Sequence, residues 1–564
     1  MTYLETYEQW MSSVKDDALL EELRSIKDDD QQIKERFFAD LPFGTAGLRG
    51  IIGAGIARMN RYVVGRATQG LADYLKKDGK DNLTMAIAYD SRRFSREFAQ
   101  EAACVLAGNG IKAYLFKQLT SVPELSFAVC HLKADGGIVI TASHNPRDYN
   151  GYKVYASYGG QLGPEESLGV MACIQKLNAF KDVRSIEFAE GVSRGLIVEV
   201  GEEIDREYYQ RIVALCGSDS AENFKVVYTP LHGSGLRTAQ NVFPAAGIKD
   251  FYIVEEQKVP DGNFPTVNSP NPEDPTAMKL AIELAKRVGA EIAIGTDPDA
   301  DRMGAAVRRG DGSFAMLTGN QIGCILTDYM LQRRQSAGKL KPVDYVIRSF
   351  VSTDMVEAIA HRYGITCYTV LTGFRFISEI IAENEGTDRD FIFGFEESFG
   401  FLAGTFARDK DGVMAGLLLC KAAQYYRNKG LSLLEVLDGL YQQYGYYRES
   451  VKNMTFAGLD GMEKMQQMMA QLREKPIAEV GGIAVSCIED YESRQKTFAD
   501  GHIADIELPA TNALKIILEE GAWACIRPSG TEPKIKIYLA VRAASAEAAE
   551  ERLGQLDAGI EKLM

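Results

Sequence analysis

Three aspartates alternate in Ala290-Glu-Ile-Ala-Ile-Gly-Thr-Asp297-Pro-Asp299-Ala-Asp301-Arg302-Met-Gly304, between an apolar strand that enters and another, Ala305-Ala-Val307, that leaves. If the segment is extended, alternate side chains point the same way and the three carboxylates converge. Uncompensated, they would repel and raise one another's pKa. A divalent cation is the natural compensation, and carboxylate oxygens suit Mg²⁺. An EF-hand loop starting at Asp297 fails, because Arg302 and Arg308 stand where Gly and Glu are needed. An aspartyl-phosphate hydrolase of the haloacid dehalogenase type also matches poorly, because Gly295 and Thr296 intervene between strand and carboxylate.

A second segment, Gly137-Ile-Val-Ile-Thr-Ala-Ser143-His-Asn-Pro146, ends an apolar strand in small residues. Its loop presents Ser143, His144 and Asn145, and an exposed serine there is well placed as a nucleophile or phosphate carrier. From this segment alone, a turn in which Ser and Asn cap backbone groups is the simpler reading. No G-x-S-x-G elbow occurs in the chain. His144 adjoins Ser143 in sequence, which is poor geometry for the base of a triad.

A third segment, Phe393-Gly-Phe-Glu396-Glu397-Ser398-Phe-Gly400, sets carboxylates and a hydroxyl among aromatics and glycines. Such groups can hold sugar hydroxyls, although Glu pairs are common on surfaces. Downstream, Arg408-Asp-Lys410-Asp-Gly412 places a lysine that is either solvated or a proton shuttle. A fourth segment, Arg527-Pro-Ser529-Gly530-Thr531-Glu-Pro-Lys534, joins an Arg fork, hydroxyls and free N–H groups into a phosphate cradle. It is not a Walker loop. Phe43-Gly-Thr-Ala-Gly-Leu-Arg49-Gly50 is a Gly-rich loop with one Arg. Pro230-Leu-His-Gly-Ser-Gly-Leu-Arg237 lacks the third Gly of a dinucleotide fingerprint, which argues against NAD.

The elements that must position these residues repeat. Met85–Tyr89, Phe224–Tyr228 and Tyr345–Arg348 read as strands, each followed by a loop, a helix, a Gly-Ile pair and another strand. The pairs are Gly110-Ile111, Gly247-Ile248 and Gly364-Ile365. Gly permits a left-handed helix cap and Ile opens the next strand, so the βαβ grammar of a mixed α/β sheet is used three times. Residues 1–40 read as helical, from a stripe of Leu4, Tyr7, Trp10 and Met11 followed by Leu19, Leu20, Leu23 and Ile26. Ala513–Leu518, Ala522–Arg527 and Ile535–Val541 read as strands before a closing helix, Ala544–Leu556, which suggests a smaller α+β domain. The boundaries fall near residues 205, 320 and 445, giving domains 1–205, 206–320, 321–445 and 446–564.

A chain of 564 residues suits this count at roughly 150 residues per domain. Hydrophobic residues at 46% and charged residues at 25% exclude a disordered or fibrous chain. A net charge of −15 argues against general nucleic-acid binding. The start carries neither a basic nor an apolar signal region, and no apolar run reaches the ~20 residues of a membrane span. The nine scattered cysteines, with no CxxC pair, argue against a disulfide framework or zinc ribbon and fit a cytoplasmic protein.

In this order, Thr141-Ala-Ser-His-Asn-Pro146, Asp297-x-Asp-x-Asp-Arg302, Gly394-Phe-Glu-Glu-Ser398 and Arg527-Pro-Ser-Gly-Thr-Glu-Pro-Lys534 resemble the α-D-phosphohexomutase superfamily. The stretch Lys258–Glu273 looks most like its phosphoglucomutase/phosphopentomutase branch. The resemblance implies four domains around a central cleft, three of them related α/β units. It implies that Ser143 carries phosphate, and that Asp297, Asp299, Asp301 and a phosphoserine oxygen hold one Mg²⁺. It gives Glu396 and Ser398 the sugar hydroxyls, and Arg527, Ser529, Gly530, Thr531 and Lys534 the phosphate not being transferred. Lys153, in Asn150-Gly-Tyr-Lys153, and Lys410 match positions proposed for proton transfer, and Arg49, His144 and Arg302 line the phosphoryl-transfer region. The loop Leu371-Thr372-Gly373-Phe-Arg375 carries Arg where relatives often have Lys or a His-containing variant, which bears on sugar choice. The implied activity interconverts glucose 1-phosphate and glucose 6-phosphate, with a sugar bisphosphate as activator. Pentose phosphates are the alternative substrates, and mannose phosphates can accompany either. Small sugar phosphates are then the partners, with no nucleic acid or membrane.

Overall fold

The computed structural model describes residues 2–44, 47–219, 223–456, 461–529 and 534–564. They fall into two compact units: Met1–Ile322 with Phe374–Lys429, and Gly323–Gly373 with Gly430–Met564. No helix among the described residues is long and apolar enough to cross a membrane.

The first unit opens with helices Tyr3–Ser13, Asp17–Ser25 and Asp30–Phe37. Each starts at a side-chain cap, from Thr2, Asp16 and Asp29, which accepts an N–H the first turn would otherwise leave unpaired. Their apolar faces bury Tyr7, Trp10, Val14, Leu23, Ile33 and Phe37 in one cluster. Leu4, part of the predicted stripe, is 45% exposed, so the buried face starts one turn later than predicted.

Two sheets follow. The first contains β1 (Gly47–Ile51), β2 (Thr84–Tyr89), β3 (Lys112–Phe116), β4 (Gly136–Ile140), β5 (Tyr149–Ala156) and β6 (Ile197–Val200). Its order is β1-β5-β4-β2-β3-β6. The antiparallel β4–β5 pair sets Val139 opposite Lys153, which carries that lysine up to the loop leaving β4. The second sheet contains β7 (Lys225–Thr229), β8 (Asp250–Ile253), β9 (Ile292–Thr296), β10 (Met303–Arg308) and β11 (Phe314–Leu317), in the order β11-β10-β9-β7-β8.

In the second unit β12 (Tyr345–Ser349) and β13 (Thr366–Val370) pair in parallel. In the first unit β14 (Phe391–Glu396) and β15 (Gly400–Ala403) form an antiparallel hairpin. The second unit ends in a larger sheet of β16 (Tyr446–Thr455), β17 (Glu479–Val480), β18 (Ile483–Asp490), β19 (Gln495–Phe498), β20 (Ile503–Asp505), β21 (Leu514–Leu518), β22 (Trp523–Pro528) and β23 (Lys534–Ala543). Its order is β16-β23-β22-β21-β18-β19-β20, with β17 on β18. Met465 and Met469 from helix Gly461–Glu474, with Leu556 and Ile560 from helix Ala546–Leu563, cover it. That closing helix runs seven residues beyond its predicted end at Leu556.

The threefold grammar is present. β2 and β3, β7 and β8, and β12 and β13 are each a parallel pair, joined through helices Ser95–Gly108, Gly235–Ala245 and Met355–Arg362. Gly110, Gly247 and Gly364 all sit in the left-handed region, at φ of 74°, 85° and 69°. A side chain there would be strained, so Gly ends the helix and turns the chain into the next strand. Ile111, Ile248 and Ile365 are buried beside them.

Candidate active site

β4 ends at Ile140, and the loop beyond it turns back sharply at Ser143, whose φ of 52° is left-handed. Such a conformation is costly for serine and persists only where neighbours impose it. Ser143 N–H donates to Thr141 Oγ1 at 2.9 Å, and Thr141 Oγ1 donates to Asp299 Oδ2 at 3.0 Å. Asn145 closes the turn with its N–H and Nδ2 on Ala142 O. The buried Ser143 hydroxyl then donates to Asp297 Oδ2 at 2.6 Å and lies 3.1 Å from His144 Nδ1. The left-handed turn thus brings these two neighbouring side chains into contact. Burial, then the charges of Arg302 and Arg49, push the His144 pKa well below its usual value, so its ring is neutral at neutral pH.

The three aspartates lie in the connection between β9 and β10, which pair with Thr296 opposite Met303. This connection is a tight turn and not an extended run. Ala300 is left-handed at φ 56°, its N–H donates to Asp297 O, and the Arg302 N–H donates to Asp297 Oδ1. The carboxylates converge all the same, with one oxygen from each within 4.8 Å of the others. Three backbone bonds hold the turn from outside: Val122 N–H to Asp299 O, Ser234 N–H to Pro298 O and Gly412 N–H to Ala300 O.

Cations surround this acidic turn. Lys153 Nζ lies 3.0 Å from Asp299 Oδ2 and 3.6 Å from Asp301 Oδ2, and Lys410 Nζ lies 3.2 Å from Asp301 Oδ2. Arg302 pairs with Glu273 at 2.8 Å. Burial raises the Asp297 pKa well above the carboxylate range, and the charges of Asp299 and Asp301 add to that. Burial acts the same way on Asp301, but Lys410, Lys153 and Arg302 outweigh it and hold its pKa below the usual range. Burial alone would lower both lysines. The carboxylates overcome it and raise them, so both are ammonium ions here. Among the described residues, Asp299 Oδ1 and Asp301 Oδ1 are nonetheless buried with no hydrogen-bond partner. Orphaned buried carboxylate oxygens are costly, and hard oxygen donors of this kind fit a divalent cation. The triad is a candidate cation site.

The remaining predicted residues are distributed as follows. Glu396 ends β14, is buried, and its charge acts on Arg302 and Lys410. A bridge between Arg302 and Gly400 ties that hairpin to the acidic turn, and Ser398 sits half-buried at its tip. Arg49 is exposed on β1, opposite Gly151 of β5. Arg375 lies in helix Phe374–Glu383, half-buried, with its guanidinium over the Phe376 ring at 4.5 Å. Thr372 and Gly373 directly precede that helix, and among the described residues the buried Thr372 Oγ1 has no hydrogen-bond partner. In the second unit, Arg527 lies on β22, Ser529 follows it, and Lys534 opens β23, with Ser529 N–H donating to Lys534 O at 2.7 Å. Gly530 and Thr531 lie outside the described residues.

Sequence reasoning gave no role to Thr141, Glu273, Asp409 or Arg92. Asp409 takes hydrogen bonds from Tyr155 and Gln161 and contacts Lys410 at 3.0 Å. Its flanking position beside Lys410 was the available signal. Arg92 is buried beneath the Ser143 loop and bonds main-chain carbonyls. Its only signal is the Asp90-Ser-Arg92 turn after β2.

Four models match along the chain: phosphoglucomutase/phosphomannomutase α/β/α domain I at residues 40–180, domain II at 206–310, domain III at 318–444, and the C-terminal domain at 470–556. A phosphoglucomutase of Staphylococcus saprophyticus is 37% identical over 534 residues, covering 94% of this chain and 96% of its own. One from Staphylococcus aureus is 37% identical over 538 residues, covering 95% of each. The solved structure of parafusin, a phosphoglucomutase from Paramecium, superposes with a TM-score of 0.68 at 17% identity, covering 93% of this chain and 95% of that one. The chain belongs to the phosphoglucomutase/phosphomannomutase family, with three α/β domains and a C-terminal domain.

Proposed function

We propose that this chain interconverts glucose 1-phosphate and glucose 6-phosphate as a cytoplasmic phosphoserine enzyme, with domain boundaries near residues 205, 320 and 445. The observation that carries the reading is the Ser143 hydroxyl, which donates at 2.6 Å to Asp297, one of three converging carboxylates. Mg²⁺ held by Asp297, Asp299, Asp301 and a phosphoserine oxygen would supply charge neutralisation on the phosphoryl group.

Phosphate on Ser143 passes to the free hydroxyl of the sugar monophosphate. The P–Oγ bond breaks, a P–O bond to the sugar forms, the attacking sugar hydroxyl gives up its proton, and the departing serine oxygen takes one up. The bisphosphorylated sugar turns over and returns its other phosphate to Ser143 by the reverse step. This explains why a sugar bisphosphate activates enzyme that has lost its phosphate. Lys153 and Lys410 hold protons beside the acidic turn and are the proposed proton carriers. Arg302 and Arg49 offer positive charge to the transferring group. His144, neutral, orients the serine oxygen. Glu396 and Ser398 accept and donate to sugar hydroxyls, and Thr372, Gly373 and Arg375 form the loop that selects the sugar. Arg527, Ser529, Gly530, Thr531 and Lys534 take the resting phosphate.

Initial rates on glucose 1-phosphate and ribose 1-phosphate, each with Mg²⁺ and a trace of the matching bisphosphate, test the reading. A much faster rate on glucose 1-phosphate is expected. A faster rate on ribose 1-phosphate would keep the mechanism and reverse the substrate, pointing to Arg375 and its loop.

A further inference from the structure

Two segments remain without a role: the Pro230–Arg237 turn that resembles a dinucleotide fingerprint, and the Lys258–Glu273 stretch. In the structure they build one strap. His232 Nδ1 lies 3.0 Å from Val259 O and its Nε2 lies 2.9 Å from Thr266 Oγ1, while Asp261 N–H donates to His232 O. The chain between turns on Asp261, whose side chain accepts from Asn263 N–H at 2.8 Å and whose carbonyl accepts from Phe264 N–H at 3.1 Å. Gly262 passes so close to residues 91–93 that any Cβ there would stand 2.5 Å from Arg93 N and 2.8 Å from Ser91 O. Phe264, buried and left-handed at φ 48°, lays its ring 5.0 Å from the Arg92 guanidinium. Farther along, Ser269 Oγ donates to His144 O at 2.8 Å.

The arginine beneath this ring spends its donors on the main chain. Arg92 Nη1 donates to Pro146 O at 2.9 Å and Tyr149 O at 3.1 Å, and Nη2 donates to the carbonyls of Ser143 and Asn145. Four carbonyls of a seven-residue loop therefore converge on one buried guanidinium. Its Nε lies 3.4 Å from Asp90 Oδ2, and Asp90 is fixed in turn by Arg92 N–H at 2.9 Å and Ser95 Oγ at 2.7 Å. A planar fork of five donors is suited to gathering carbonyls in this way, and an ammonium group is not. A guanidinium under an aromatic face is also held in one plane.

We propose that Arg92, pressed in place by Phe264 of the strap, is the positioning residue that fixes the left-handed turn of Ser143. Its terminal nitrogens donate to main-chain carbonyls, so it acts through the loop. The strap sets the guanidinium, the guanidinium sets the loop carbonyls, and those set the direction of the serine oxygen. This inference rests on the reading of Ser143 as the phosphate carrier.

The test uses the full chain and the variants Arg92→Met, Arg92→Lys and Phe264→Leu. Three quantities are read: kcat and KM on glucose 1-phosphate, the Mg²⁺ concentration for half-maximal rate, and the rate of phosphate uptake at Ser143 from glucose 1,6-bisphosphate by intact mass. Misplacing a reacting atom by about 1 Å costs roughly 100-fold in rate. Arg92→Met is therefore expected to lose about 100-fold in kcat and in phosphate uptake. Arg92→Lys should lose less, and Phe264→Leu about tenfold. KM and the Mg²⁺ requirement should stay within about threefold of the parent. Should Arg92→Met fail to fold, Phe264→Leu, which removes none of the loop's hydrogen-bonding groups, carries the test. Folded variants with parental kcat and phosphate uptake would overturn the proposal. So would a loss of kcat accompanied by an equal shift in Mg²⁺ requirement, since that is a collapse of the whole site. Parent protein that takes no phosphate at Ser143 would instead sink the phosphoserine reading, and this one with it.

Discussion

Replacing Thr141 with Val removes one hydroxyl and almost no volume. That hydroxyl accepts from Ser143 N–H at 2.9 Å and donates to Asp299 Oδ2 at 3.0 Å, so one atom bonds both the main chain of the serine loop and the acidic turn. A hydrogen bond to a carboxylate contributes about 1.5–3 kcal/mol, and a buried N–H left without an acceptor costs about 1–3 kcal/mol. Both groups keep a second anchor. Asp299 Oδ2 retains Lys153 at 3.0 Å, and Ser143 retains Asp297 at 2.6 Å. The low end of each range therefore applies, about 2.5 kcal/mol together. About 2–3 kcal/mol lost from the transition state is a fall of roughly 30- to 150-fold in kcat. The assay is glucose 6-phosphate formation from glucose 1-phosphate, coupled to a dehydrogenase, with the melting temperature measured in parallel. Thr141→Ser keeps the hydroxyl and is expected within about threefold of the parent. A Thr141→Val enzyme retaining more than half of the parental kcat would refute the coupling of the two loops.

Three further outcomes are expected. Ser143→Ala should keep the melting temperature and lose turnover, and intact mass after incubation with glucose 1,6-bisphosphate should show no added phosphate; full activity would remove Ser143 from the mechanism. Asp299→Asn should abolish the response of the rate to added Mg²⁺, and an unchanged Mg²⁺ titration curve would displace Asp299 from the ligand set. Asp411 caps helix Gly412–Arg427, and burial pushes its carboxyl up to about 6 against hydrogen bonds from Tyr208 and Met414. Because that value is raised, the contribution of Asp411 is fully present below pH ~4 and is lost as pH rises through about 6. A shift of about two units corresponds to about 3 kcal/mol. Asp411→Asn should therefore gain about that much relative to the parent between pH 4 and pH 7, read as melting temperatures at the two pH values. A constant difference across that range would contradict it.

Much of the scaffold was legible because its signals are side-chain signals. Gly110, Gly247 and Gly364 mark helix ends where only glycine is unstrained, and each pair of strands around them is parallel. The three aspartates were legible as a group, although they meet through the left-handed Ala300 and not through an extended strand. Backbone conformation of that kind leaves no mark on an alanine. The same holds at Ser143, where a left-handed turn brings His144 Nδ1 within 3.1 Å of the hydroxyl. Arg92 was illegible for another reason: its partners are carbonyl oxygens, which every residue possesses. The pairing of Lys153 and Lys410 on one acidic turn was equally hidden, because register and long-range packing, not spacing, bring them together.

The first unit is assembled from two stretches of chain, with Gly323–Gly373 leaving it between them. This imposes an order of events during synthesis. The acidic turn is complete once Asp301 has emerged, but the ammonium group of Lys410 that faces it lies about 110 residues farther on. At ~5–20 residues per second, that is a delay of roughly 5–20 s in which the nascent carboxylates lack one of their counter-ions. During that interval Lys153, already made, is the lysine at hand to offset them.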